Sequence, residues 1–249
     1  MRNDGKKKSV LITGASSGIG KSAARFFADG GWNVAFSFNK SEREAEELEA
    51  ELSSKTFCRA YRADLSVSGE AEKLAGKAMS DFGDFDALVN NAGTAHFGMI
   101  QDMTESDVDF VFAVNVKSAM MLTKAIVPCM ISKKSGSIVN VSSVWGVCGS
   151  SCESVYSASK AALIGFSRAA AKELAPSGVR VNCVCPGVID TRMNDCFSEE
   201  EKKDIASGIP MGRFGTPEEA ASVICFLASD GSSYVTGQTI NVNGAFITC

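Results

Sequence analysis

One histidine, His96, stands among the 249 residues, so a zinc site of mixed His/Cys type has too few ligands. Cysteine is not scarce, at nine, but the count is odd and no C-x-x-C spacing occurs. A disulfide framework is therefore not expected, and a reducing compartment is. No run of apolar residues reaches the roughly 18 needed to cross a bilayer, and the polar N-terminus lacks the core of a signal peptide. The expected location is the cytoplasm, with no membrane partner. Positive charge is not in excess: the formal net charge is −4, which argues against a nucleic-acid surface. The lysines at 6–8 read only as a solubilising start before the first strand. No repeat or low-complexity linker interrupts the chain, so one domain over residues 1–249 is the expected organisation.

What is present is an alternation of short apolar runs and amphipathic segments, the pattern of an α/β fold with a parallel sheet. Ser9–Thr13 is a continuous apolar strand of the kind buried on both faces. It runs into Gly14-Ala15-Ser16-Ser17-Gly18-Ile19-Gly20, with a helix following to about Asp29. Glycines here let the backbone turn tightly and bring amides at a helix N-terminus within reach of a pyrophosphate. A second strand, Trp32–Phe38, ends in Asn39-Lys40-Ser41. An acidic residue at this place would bind the ribose hydroxyls of an adenosine and repel a 2′-phosphate. None is present, so Asn39, Lys40 and Arg43 predict NADPH over NADH. The alternative is a solvated helix start in which Ser41 and Glu44 form a capping box. Further strands are expected at Phe57–Ala63, followed by Asp64 and Leu65, and at Ala87–Asn90, followed by Asn91, Ala92 and Gly93. The segment Thr104–Met130 has a helical pattern, yet Asn115 lies inside it. An asparagine there competes for backbone hydrogen bonds and disturbs the helix.

Tyr156 and Lys160 sit four apart in YSASKAALIGFSRAAAKEL, hence on one face of a helix. Ser143 ends the strand-like run SIVNVSS thirteen residues earlier. Moving a phenol from a pKa of about 10 to near 7 needs roughly 4 kcal/mol. A cation about 4–5 Å away supplies roughly 3–4 kcal/mol at an effective dielectric of about 20. Lys160 is thus expected to acidify Tyr156, helped by the positive charge of an oxidised nicotinamide. A packed tyrosine beside a solvated lysine is the other reading of the same spacing. For His96, a mobile surface residue and a substrate contact both stand.

TGASSGIG, NNAG, Asn115, Ser143, YSASK and PGVIDT, in this order over nearly the whole chain, resemble the short-chain dehydrogenase/reductases, and most closely their 3-oxoacyl-[acyl carrier protein] reductase branch. The resemblance implies a doubly wound Rossmann fold with a seven-stranded parallel sheet, no metal, and NADPH (NADP+) as cofactor. It implies Tyr156 as proton donor, Lys160 as the group that lowers its pKa and holds the nicotinamide ribose, Ser143 as hydrogen-bond donor to the substrate oxygen, and Asn115 as holder of a relay water. It implies Gly14, Ser16, Ser17, Gly18, Ile19 and Gly20 around the phosphates, and Asn39, Lys40, Asp64, Leu65, Asn91, Ala92 and Gly93 along the adenosine side. Pro186, Gly187, Ile189 and Thr191 would hold the carboxamide. The segment 191–209 would be a substrate lid, with Met193, Phe197 and Ile205 as an apolar ceiling. Relatives pair two long helices, here Thr104–Met130 and Tyr156–Ala175, in homotetramers.

The implied substrate is a small-molecule or carrier-bound ketone. Lys134 matches a basic position that docks the acidic carrier, whereas Ser177 departs from a second one. Trp145-Gly146 through Glu153 to Tyr156 also resembles reductases that act on a modified lysine of elongation factor P, where Glu153 would attract a cation. A cofactor-binding sensor without turnover is the alternative of another class, and loss of one of Asn115, Ser143, Tyr156 and Lys160 would have favoured it.

Overall fold

The computed structural model describes residues 7–195 and 197–248; Lys6 of the expected basic start lies outside them. Seven strands form one parallel sheet in the order β3-β2-β1-β4-β5-β6-β7. They are β1 (Ser9–Ile12), β2 (Asn33–Phe38), β3 (Cys58–Arg62), β4 (Ala87–Asn90), β5 (Gly136–Val141), β6 (Val179–Pro186) and β7 (Thr239–Val242). The order reverses between β1 and β4, and in open parallel sheets ligands collect outside the carboxyl ends of the strands at such a point.

The apolar runs are continuous because both faces are covered. Val10 and Ile12 point to one side with Val34, Phe36, Val89 and Val139. That side packs on α1 (Gly18–Asp29), α2 (Glu42–Ser53) and α9 (Pro217–Ala228). Leu11, Ala35, Leu88 and Ile138 point the other way, onto α3 (Glu70–Phe82), α5 (Ser118–Lys133) and α7 (Ser154–Leu174). The period-two alternation of a strand thus feeds two cores.

The long helical segment is less regular than its pattern. An α-helix, α4 (Glu105–Phe112), gives way to a π-helical turn over Ala113–Lys117 before α5 continues to Lys133. Asn115 lies inside that turn, at the place where the sequence anticipated a disturbance. No unbroken apolar run of the length needed to cross a bilayer occurs, since Asn115, Lys117 and Lys124 interrupt the longest candidate, although an averaged window passes. Glu105–Lys133 passes on length and composition, with a mean hydropathy of 1.5 over 18 residues. Its apolar stripe Leu122, Ile126 and Met130 is fully buried on the sheet, which accounts for much of that hydropathy. The seven described cysteines, all but Cys196 and Cys249, are free thiols.

Candidate active site

Four loops at the carboxyl ends of β1, β4, β5 and β6 converge on one cleft. After β1, Gly14 and Gly18 have positive φ values of 66° and 54°. A Cβ on Gly20 would lie 2.5 Å from Asn91 Nδ2 and 2.6 Å from the Gly14 carbonyl, so no larger residue fits there. α1 starts at Gly18, and its N-cap, Ser17, makes no side-chain cap, which leaves the first amides free for an anion. Thr13 ties this turn to the loop after β4: its hydroxyl accepts from the amides of Asn91 and Ala92, at 3.0 and 2.9 Å. The Asn91 side chain donates to the carbonyls of Thr13 and Gly14. Ser16 is buried against the loop, and Ile19 packs on the core.

On the adenosine side, Asn39 and Lys40 are exposed at the end of β2, and Leu65 is buried after β3. The Asp64 carboxyl lies below its usual range, mainly through hydrogen bonds from Ser66, with help from Asn39 and the charge of Lys40. The Ser41–Glu44 capping box of the alternative reading is absent: Ser41 makes no side-chain cap. Glu44 is instead held by Arg192, at 2.9 Å, and Arg43 pairs with Glu47. Across the cleft, Pro186 ends β6, and a Cβ on Gly187 would lie 2.7 Å from Asn243 Cβ. Ile189 is buried, and the Thr191 methyl reaches to 3.2 Å from where a Gly18 Cβ would sit. The segment 191–209 holds a short 3-10 turn and α8 (Glu199–Ser207), which a capping box between Ser198 and Glu201 starts. Met193 is exposed, Phe197 and Ile205 are partly covered, and Ile209 is the buried apolar residue, beside Gly244.

The four candidate catalytic residues come from three elements and meet at the mouth of this cleft. Tyr156 and Lys160 sit in the first turns of α7, 7% and 3% exposed. Lys160 Nζ lies 5.6 Å from the centre of the tyrosine ring and donates to the Val141 carbonyl at 2.9 Å. Ser143, between β5 and the short helix α6 (Trp145–Cys148), faces the phenol and hydrogen-bonds to it. Asn115 donates to the Thr94 carbonyl and to the Ser159 hydroxyl, both at 2.9 Å, and accepts from the Thr94 amide at 2.8 Å. A Cβ on Gly93 would lie 3.1 Å from Lys160 Nζ and 3.4 Å from Asn115 Oδ1, so both groups border the same small space. Sequence reading missed Thr13, Thr94 and Ser159, the partners that hold this frame. Their hydroxyls and amides carry no pattern of their own.

The electrostatics correct one expectation. Burial pushes the Tyr156 phenol up to about 12, against a smaller lowering by the Ser143 hydroxyl; Glu153 adds to the rise. Lys160 itself is pushed down to about 8 by burial. Desolvation of the phenolate dominates in these surroundings, so the phenol lies above its ordinary value and not below it as expected with a bound oxidised nicotinamide. At neutral pH the tyrosine holds its proton, the form an acid needs.

His96 Nδ1 lies 3.7 Å from Asp107 Oδ1 at the start of α4, with its side chain partly covered. Lys134 ends α5 just before β5 begins, and Gly178 beside it leads into β6. Both lie at the amino ends of the strands, the edge opposite Ser143, so Lys134 does not border this chain's own cleft.

The chain matches, over residues 14–246, the family model described as enoyl-(acyl carrier protein) reductase. It is 44% identical over 241 residues to the uncharacterized oxidoreductase YmfI of Bacillus subtilis (strain 168), covering 96% of this chain and 98% of that one. It is 43% identical over 249 residues to the 3-oxoacyl-[acyl-carrier-protein] reductase FabG of Thermotoga maritima, covering 99% and 100%. The enzyme of that name from Staphylococcus aureus (strain Mu50) is 40% identical over 240 residues, covering 95% and 97%.

Proposed function

This chain belongs to the short-chain dehydrogenase/reductase family of NAD(P)-dependent oxidoreductases, and from that premise we propose that it is an NADPH-dependent carbonyl reductase acting on a 3-oxoacyl thioester such as 3-oxoacyl-[acyl carrier protein]. The observation that carries the reading is the meeting of Tyr156, Ser143, Lys160 and Asn115 beside a glycine turn that leaves helix amides free. The residues fit a dinucleotide: a Cβ on Gly14 or Gly20 would run into backbone, Gly18 holds a positive φ that favours glycine, and Lys40 offers a cation where an acid would exclude a 2′-phosphate. When bound, the reduced nicotinamide supplies the hydride.

The chain's own groups supply the rest. Ser143 and Tyr156 hydrogen-bond the substrate oxygen from two sides and stabilise the negative charge that develops on it. An alkoxide is a far stronger base than a phenolate, so Tyr156 protonates it downhill even from a pKa of about 12. The resulting phenolate is then stabilised by the Lys160 ammonium. Asn115 and Lys160 border one space near Gly93, where a water would return the proton. The segment 191–209 closes over the substrate. Further copies would pack along α4, α5 and α7, where Phe110 is half exposed beside a groove of about 810 Å³, giving a homotetramer.

One observation favours a second reading. Glu153, half-buried at the start of α7, is raised by desolvation and acts on Tyr156, so a ketone carrying a cation, such as the modified lysine of elongation factor P, would find a partner there. Loss of NADPH absorbance decides: turnover of an acetoacetyl carrier thioester, with kcat/KM at least about tenfold higher for NADPH than NADH, is expected. Turnover of modified elongation factor P alone would replace the first reading by the second. No turnover of either, nor of a diketone, would leave a cofactor-binding sensor.

A further inference from the structure

The Ser143 hydroxyl is engaged on one side by its own chain. Its oxygen accepts from the Trp145 amide at 3.2 Å, and the Ser143 carbonyl accepts from the Gly146 amide at 3.0 Å. A hydroxyl has one proton and two acceptor sites, so an amide on one lone pair leaves the proton to be given elsewhere. The frame for that amide is α6, a single turn of four residues, too short to hold its own shape. Three contacts hold it. The Val144 amide donates to the Pro186 carbonyl at 2.9 Å, and a Cβ on Gly146 would lie 2.7 Å from the Lys160 carbonyl carbon, so α6 presses closely on α7. On its remaining side the Trp145 ring meets Phe246 edge to face, with centres 5.5 Å apart and planes at 76°. Phe246 comes from the strap after β7. There Gly244 and Ala245 follow one another in the left-handed region, with φ values of 61° and 66°, and an alanine is strained in that conformation. The strap is pinned in this shape: the Met211 amide donates to the Gly244 carbonyl at 3.2 Å, the Phe246 amide to the Asn243 carbonyl at 3.0 Å, and the Asn243 side chain to the Ile247 carbonyl at 3.1 Å. Phe246 is only partly covered and lies outside both cores, so the strain does not serve their packing. Strain of this kind collects where a site over-determines the backbone.

We propose that Phe246 and Trp145 are positioning residues for Ser143: the ring pair keeps the Trp145 amide on the serine oxygen and so directs the hydroxyl's proton towards Tyr156 and the substrate oxygen. The proposal rests on the reading that Ser143 donates to that oxygen. Both rings act through the serine. Without Phe246 the Trp145 ring loses the partner that fixes it, the amide moves off the serine oxygen, and the hydroxyl rotates among several directions of which one is productive. The cofactor groove, on the far side of Ser143 from the strap's ring, keeps its glycine turn and its amides.

The test is a double-mutant cycle. Phe246→Ala is assayed alone and combined with Ser143→Ala, using NADPH and an acetoacetyl carrier thioester, with enzyme concentration raised for the variants that lack the serine. Alone, Phe246→Ala should lower kcat about tenfold and leave the Kd of NADPH within about twofold, because orientation is lost and the cofactor groove is not. In the Ser143→Ala background the same change should alter kcat by less than about twofold, since the group it positions is gone. A loss of equal size in both backgrounds overturns the proposal, because a ring that served only the fold or the substrate would act with or without the serine. An unchanged kcat in Phe246→Ala overturns it as well. Should the alanine variant fail to fold, Phe246→Leu, which keeps apolar bulk without the ring, carries the same cycle. Ser143→Ala by itself separates the two levels. Near-normal turnover there sinks the parent reading of Ser143, whereas its loss with an additive or absent effect at Phe246 sinks only the positioning role.

Discussion

Burial keeps the Tyr156 phenol protonated at neutral pH, the form its proposed role as an acid requires. With the phenol near 12, almost every molecule holds the proton at neutral pH, and Phe removes that proton while keeping the ring that packs at the mouth of the cleft. Tyr156→Phe should lose about 10²-fold or more in kcat with NADPH affinity within roughly twofold, measured by steady-state kinetics and cofactor fluorescence. Lys160 carries a different cost. Its pKa falls from 10.5 to about 8 on folding, so below about pH 8 both folded and unfolded chains are charged and the native state carries the whole desolvation penalty. Between about 8 and 10.5 the unfolded chain binds more protons, and stability rises with pH. The penalty is on the order of 3 kcal/mol. Lys160→Met should therefore be inactive yet more stable near neutrality. The wild type should recover on the order of 2 kcal/mol relative to it between about pH 7 and 9.5 in denaturant titrations. A pH-independent gap would mean that the buried ammonium is not the source of the cost.

At the scale of the element, the π turn of Ala113–Lys117 is where local rules yield to the site. Such turns carry poorer hydrogen bonding and persist where tertiary contacts hold them. Here the holding contacts are the three hydrogen bonds of Asn115 to Thr94 and Ser159. Asn115→Ala leaves their buried partners unpaired, at roughly 1–3 kcal/mol for each group left unsatisfied. We expect a loss of about 2–3 kcal/mol in urea unfolding together with a fall in kcat, since Thr94 and the space beside Lys160 Nζ lose their support. Loss of stability with unchanged kcat would make the asparagine purely structural. Much of this was legible beforehand. Strands covered on both faces announce themselves as continuous apolar runs, a glycine turn between strand and helix marks the phosphate end, and Asn115 stood out as a residue type in the wrong place. Other parts depend on distances that no local pattern encodes. The buried chain from Asn90 to Asn140 to Ser167, linking β4, β5 and α7, reads in sequence as stray polar residues inside apolar elements. The opposite-edge position of Lys134 required the strand register, and the upward shift of Tyr156 required its burial.

The whole molecule is organised across its cleft. Thr13 joins the turns after β1 and β4, Thr191 closes on Gly18, and Arg192 reaches from the segment after β6 to Glu44 on α2. In the proposed placement a dinucleotide along this line would touch both halves of the sheet, so its binding free energy would also stabilise the entire fold. At a concentration of 100 times Kd the gain is about 2.7 kcal/mol, roughly 5–10 °C in Tm for a chain of this size. If Lys40 and Asn39 favour the 2′-phosphate tenfold, NADH at the same concentration gives about half of that gain, a gap of roughly 3–5 °C measured at one protein concentration. Lys40→Ala should narrow the gap by lowering the NADPH shift and leaving the NADH shift in place, because it removes a cation that only the 2′-phosphate uses. Equal shifts for the two cofactors in the wild type would refute the preference for NADPH without touching the assignment of Tyr156.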